Sequence, residues 1–115
     1  ERIDHTLNCL DIAHFLGSPC ISVPPGGPPV ERDPKASLAL FRQGLEQVLP
    51  KAESLGVNIL IEPEPDLLIE NSRQMNSFIK DFSSPNLGVN FDVGHFYCVD
   101  EAPEAALETL FDKIG

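Results

Sequence analysis

Apolar positions along this chain switch between helical and strand spacing. Ile3, Leu7 and Leu10 lie at helical spacing, Ala13 and His14 continue that face, and Gly17 follows as a stop, so an amphipathic helix is expected over 2–16. Pro19-Cys20-Ile21-Ser22-Val23 is a short β-branched strand that runs into Pro24–Pro29, a loop belonging to neither helix nor central strand. From Asp33-Pro34 a long helix is expected, with Asp33 as cap and Pro34 at its first position; Leu38, Phe41, Leu45, Val48, Leu49, Ala52 and Leu55 share its buried face. Pro50 should kink that helix or end it early, and Gly56 closes it. Val57–Glu62 is the next strand, stopped by Pro63-Glu64-Pro65-Asp66. Asn71 or Ser72 then caps a helix through Met75, Phe78, Ile79 and Phe82, and Leu87–Asp92 is a third strand. Pro103 opens a last amphipathic helix through Ala106, Leu107, Leu110, Phe111 and Ile114.

Strands separated by roughly 30 to 36 residues, each followed by a helix, have the size of right-handed crossover units. The expected class is therefore α/β, with about three parallel strands and four flanking helices in one domain over 1–115. No G-x-G-x-x-G is present to support a dinucleotide-binding sheet. Leu55-Gly56-Val57-Asn58 repeats as Leu87-Gly88-Val89-Asn90, which favours a barrel of equal units, here part of a (β/α)8 TIM barrel.

Each copy of the repeat runs into an acid. Side chains alternate along a strand, so Asn58, Leu60 and Glu62 share one side of the second strand, and Asn90 and Asp92 one side of the third. Glu62 and Asp92 would then meet in a cup of low dielectric, where like charges repel unless a proton or cation separates them. A divalent ion resolves the conflict. Oxygen-rich ligation with one imidazole suits Mn²⁺ or Mg²⁺; Zn²⁺ prefers more His, and Co²⁺ is a further candidate. His95, three residues after Asp92, reaches back over the acid if the chain turns tightly at Gly94, to bind metal or a substrate oxygen. The competing reading gives all three purely structural roles. Glu62 then caps the amides of residues 64–67, Asp92 caps the segment after it, and His95 is a rim residue.

Eighteen acids against eight bases give a formal net charge of -10, a field that repels phosphate backbones and anionic lipid. Nucleic-acid binding is disfavoured, and no apolar run approaches the roughly 20 residues of a spanning helix. Cys9, Cys20 and Cys98 form no C-x-x-C pair; they read as reduced, buried small hydrophobes in a cytoplasmic protein. His5 and His14 read as surface or helix-edge residues. Gly26-Gly27 lacks the Lys and Ser/Thr of a phosphate loop and reads as a stiff surface loop that can wall a pocket. Glu1 already lies within a helical pattern and Gly115 follows another, as in a fragment of a longer protein.

I-L-I-E-P at 59–63 and N-F-D-V-G-H at 90–95 resemble the middle strands of the xylose isomerase-like TIM barrels, a family that includes sugar isomerases, epimerases and the endonuclease IV group. A-H-F-L-G-S-P-C-I-S-V-P-P-G at 13–26 is similar to the helix and strand preceding them. The resemblance implies a metal-dependent sugar or sugar-phosphate isomerase or epimerase, moving a proton on a ketose or aldose through a metal-bound enediolate. It makes Glu62 and Asp92 metal ligands, gives Glu62 a catalytic part in proton transfer, and puts His95 on the substrate, or on a second metal in the endonucleases. The family's remaining ligands, a His and a final Glu from later strands, are not among these residues, so the 115-residue piece alone is expected to be inactive. Where the endonucleases often carry a metal-binding His in H-P-G, this chain has Val23-Pro24-Pro25-Gly26, which favours a small sugar substrate over DNA. An endonuclease-like phosphodiesterase and a non-catalytic scaffold remain the alternatives, and exposed sheet edges make homo-oligomers an expectation for so short a chain.

Overall fold

The computed structural model describes residues 1–27 and 33–115. In chain order these form α1 (Arg2–Leu16), β1 (Cys20–Val23), α2 (Pro34–Leu55), β2 (Asn58–Ile61), α3 (Ser72–Ile79), β3 (Leu87–Val89), α4 (Val93–Cys98) and α5 (Pro103–Leu110), then a 3₁₀ turn over Phe111–Lys113. The strands make one parallel sheet in the order β1-β2-β3. This is the expected α/β architecture, with five helices among the described residues rather than four. Pro28 and Pro29 of the proline-rich loop lie outside the described residues.

Local signals set most boundaries. Gly17 and Gly56 end α1 and α2 in the left-handed region, at φ 72° and 64°, and their amides bond back to carbonyls of the last turn. The Asp33 side chain accepts from Lys35 N with Pro34 in the first turn, and Asn71 accepts from Gln74 N at the start of α3. Of the two outcomes expected at Pro50, the early end does not occur: α2 continues past it, 22 residues in all. Pro50 and Glu46, whose carbonyl loses its amide partner, are both exposed, so the orphaned oxygen is left to solvent instead of being buried. Phe82 falls beyond the end of α3, in a turn where its ring packs 5.4 Å from that of Phe78.

Alternation decides the two faces of the sheet. Ile59, Ile61 and Val89, all fully buried, point towards the helices and pack in one core with Leu10, Leu45, Val48, Ala52, Met75 and Phe78. Ser22, Leu60 and Gly88 are aligned across the three strands and share the opposite face. Leu60 stays 6% exposed there because two glycines leave it room. A Cβ on Gly88 would come within 3.0 Å of its Cδ2, and one on Gly115 would overlap it outright. Gly115 reaches this place because Ile114 bridges to Val89 in parallel, with Gly115 N bonded to Val89 O at 3.2 Å.

The helix that the sequence pattern does not announce is α4, where only a tight turn at Gly94 was expected. Asp92 caps it through Gly94 N and His95 N, and Phe96, fully buried, anchors it with a ring 4.6 Å from that of Phe91. All three cysteines are free, as expected, but none is buried. Cys9 and Cys20 are half-exposed; Cys98 is exposed because Phe96 is the one residue α4 buries fully. No described helix is long and apolar enough to cross a membrane.

Candidate functional site

Glu62 directly follows β2 and continues its register, with Glu62 N bonded to Val23 O at 3.1 Å and Asn90 N to Ile61 O at 2.9 Å. The carboxylate therefore emerges at the carboxyl end of the sheet, on the face away from the helical core. Its Oε2 accepts two hydrogen bonds, from Ser22 Oγ and from Asn90 Nδ2, both at 2.8 Å. Asn90 Nδ2 also lies 3.1 Å from Ser22 Oγ, closing a three-membered ring of contacts.

Asp92 divides its two oxygens. Oδ1 accepts from Gly94 N at 2.7 Å and His95 N at 3.3 Å, while Oδ2 lies 3.9 Å from His95 Nε2. The His95 ring is oriented by Nδ1, which sits 3.0 Å from Pro63 O. A carbonyl can only accept, so that bond assigns the proton to Nδ1 and leaves the Nε2 lone pair outward. Nδ1 is also 3.9 Å from Glu62 Oε1, an oxygen with no hydrogen bond of its own.

One ligand atom from each of Glu62, Asp92 and His95 lies within 4.8 Å of the other two, the single such cluster of three among the described residues. The side chains are 22% to 44% exposed, buried enough to strengthen charge interactions and open enough to admit a small molecule. Two carboxylate oxygens without hydrogen bonds, that of Asp92 beside the Nε2 lone pair, fit a divalent cation with hard, oxygen-preferring chemistry. Orientation of the ring by a backbone carbonyl is the usual outer support of a metal-binding His.

The purely structural alternative divides between the residues. Asp92 does cap the next helix. Glu62 caps nothing, because in the loop that follows Glu64 N bonds to Ile69 O, Leu67 N to Glu64 O and Asp66 N to Glu70 Oε1. Ser22 escapes sequence reasoning altogether, and Asn90 enters it only as a member of a strand row. The alternation that puts Asn90 beside Asp92 was the available signal for one; for Ser22, only the cross-strand register supplies it. His5 and His14 stand apart and exposed on α1, with His5 Nε2 3.6 Å from Cys9 Sγ and His14 Nδ1 3.1 Å from Leu55 O. Gly26, at φ 92°, brings the loop after β1 against the loop after β2, where a Cβ would come 2.6 Å from Leu68 Cδ1. A wide groove of about 1530 Å³ runs past the free edge of β1 between α1 and α2, beside the acidic cluster rather than over it.

A parallel βα array carrying acids and an imidazole at the carboxyl ends of adjacent strands is the arrangement of barrel enzymes that work at that rim. The chain belongs to the xylose isomerase-like TIM barrel family, whose description matches residues 1–115. No curated protein matches it significantly in sequence. Among solved structures, a D-tagatose 3-epimerase-like protein superposes with a TM-score of 0.85 at 25% identity, covering 97% of this chain and 43% of that one. The 3-keto-D-glucoside 4-epimerase from E. coli gives 0.87 at 17% identity, covering 98% and 48%, and a xylose isomerase domain protein from Planctomyces limnophilus gives 0.81 at 23%, covering 99% and 40%. This chain thus spans less than half the length of the structures it resembles, and the last two likenesses speak to the fold alone.

Proposed function

We propose that the protein to which these residues belong is a metal-dependent sugar isomerase or epimerase, and that Glu62, Asp92 and His95 are part of its active site. The observation that carries this reading is the convergence of Glu62 Oε1, Asp92 Oδ2 and the His95 ring at the carboxyl end of β2 and β3. The solved D-tagatose 3-epimerase-like relative supports the reaction class.

Glu62 and Asp92 would hold the cation, Mn²⁺ or Mg²⁺ in preference to Zn²⁺ or Co²⁺. When bound, a divalent ion draws electron density from a carbonyl and makes the neighbouring C–H more acidic. Glu62 would exchange a proton at such a carbon, and a second carboxylate, from outside these residues, would serve the opposite face. With its ring fixed by Pro63 O and its lone pair outward, His95 Nε2 would accept a hydrogen bond from a substrate hydroxyl. A formal charge of -10 suits a small polyol better than nucleic acid, and Pro24 leaves the end of β1 without a ligand for a further metal.

The test uses the full-length gene product, with Mn²⁺ titrated by calorimetry and a panel of ketohexoses incubated in D₂O. Uptake of deuterium at a carbon next to the carbonyl, lost on chelation and restored by Mn²⁺, is the expected result. Asp92→Asn keeps an oxygen for the helix cap and should lose most of the metal affinity without unfolding. Full turnover after complete chelation would sink the metal reading, and no exchange on any ketose or aldose would sink the isomerase reading.

A further inference from the structure

We propose that Ser22 and Asn90 are positioning residues that fix the Glu62 carboxylate, both bonding Oε2 and leaving Oε1 as the oxygen presented to the cation and the reacting carbon. The proposal rests on the site reading above and adds two residues to it. Ser22 comes from β1 and Asn90 follows β3, so the strands on either side of β2 each send one donor to the same oxygen at the same 2.8 Å. The register makes this possible: Ser22 is aligned with Leu60 and Gly88, and Asn90 lies two residues past Gly88 on the same face. Their 3.1 Å contact with each other braces both donors, and Ser22 Oγ accepts from Asn90 while giving its own proton to Glu62.

A long carboxylate side chain, 22% exposed, has several rotamers open to it unless something selects one. Two hydrogen bonds to a charged acceptor are strong enough to make that selection, being of the charge-assisted kind. Both donors fall on Oε2, so the carboxylate is held by one oxygen and offered by the other. Oε1 in consequence faces the His95 ring, 3.9 Å from Nδ1. Outer residues that hold a ligand in this way commonly change metal affinity by about 10- to 100-fold when removed.

The test is Mn²⁺ calorimetry on the full-length gene product with Ser22→Ala, Asn90→Ala and Ser22→Thr, together with crystal structures of the two alanine variants. Circular dichroism checks that each is folded. Expected are a fall in Mn²⁺ affinity of about tenfold or more in each alanine variant, recovery to near the unsubstituted value in Ser22→Thr, which keeps the hydroxyl, and a Glu62 carboxylate that leaves its place. Affinities within twofold of the unsubstituted protein with the carboxylate unmoved would overturn the proposal. So would a Ser22→Thr protein as weak as Ser22→Ala, since the hydroxyl would then not be what matters. If the unsubstituted protein binds no Mn²⁺, the metal reading falls by itself. The crystal structures then decide the positioning role: a displaced carboxylate upholds it and an unmoved one removes it.

Discussion

Replacing Phe96 by alanine should release α4, and with it His95, before it unfolds anything else. Six residues are too few for a helix to persist on propensity, so α4 depends on its cap and its one buried side chain. Phe96 is fully buried, and removing a phenyl ring from such a place costs about 3–5 kcal/mol, including the ring pair with Phe91 at 4.6 Å. What remains is the Asp92 cap, worth about 1 kcal/mol, and the closing bonds from Val99 N and Glu101 N to Phe96 O at 3.2 and 3.0 Å. The lost term exceeds what is left, so the segment opens locally.

Local opening also limits the global effect, because the loss seen in urea cannot exceed the free energy needed to open α4 in the unsubstituted protein. Amide hydrogen exchange over residues 94–100 measures the opening directly. A change of about 3–5 kcal/mol is between two and four powers of ten in protection, with the amides of β2 and α2 much less affected. Tyr97→Ala, at a side chain 76% exposed, is the control and should stay within about 0.5 kcal/mol. Unchanged protection in α4 alongside a lowered urea midpoint would refute the reasoning, since Phe96 would then serve the global core and not the helix that bears His95.

Pro50→Ala should stabilise the protein by about 1–3 kcal/mol, because an exposed position deep inside α2 regains its amide bond to Glu46; an unchanged or lower urea midpoint would contradict this. Glu101→Ala should cost about 1–3 kcal/mol in urea denaturation, since Ser72, 2% exposed, gives both its amide and its hydroxyl to that carboxylate and both would be stranded. Gly26→Ala should cost about 1–3 kcal/mol, readable as a lowered melting temperature, because φ 92° disfavours any Cβ and Leu68 occupies the space.

The elements most legible in the sequence were those bounded by residues with one structural use. Gly17 and Gly56 read as helix ends, Asp33-Pro34 as a helix start, and the apolar runs entering Glu62 and Asp92 as buried strands, the second of which stops at Val89, short of the expected Asp92. Phe82 shows where the same logic misleads. It sits at helical spacing from Phe78, yet reaches the same cluster from a turn, because an aromatic ring is long enough to pack without the helix continuing. Pro50 misleads in the opposite sense: the rule against proline holds for a buried or crowded carbonyl, and on the wet side of a 22-residue helix the penalty is small enough for packing on the other side to override. Ser22 was out of reach for a different reason. Its importance comes from an oxygen 40 positions away in sequence, and pairing at that distance is set by register, which one strand read in isolation does not contain.

Asp92 explains why the choice between a structural and a chemical reading of the acids could not be made from the sequence. A carboxylate has two oxygens with separate uses, and here Oδ1 starts α4 while Oδ2 stands beside His95 Nε2. Capping supports the site reading, because the helix it starts is the one that carries the imidazole. Glu62 repeats the division by other means, with Oε2 given to Ser22 and Asn90 and Oε1 left towards the ring. In both acids the bonded oxygen fixes where the unbonded one points, and each unbonded oxygen lies 3.9 Å from a nitrogen of the same imidazole, so two like charges are brought close together. Folding alone has no use for that arrangement, since two carboxylates approaching with nothing between them repel. In the metal-dependent reading proposed above, a cation would remove that cost, and the hydrogen-bonded oxygens would hold its ligands in place beforehand.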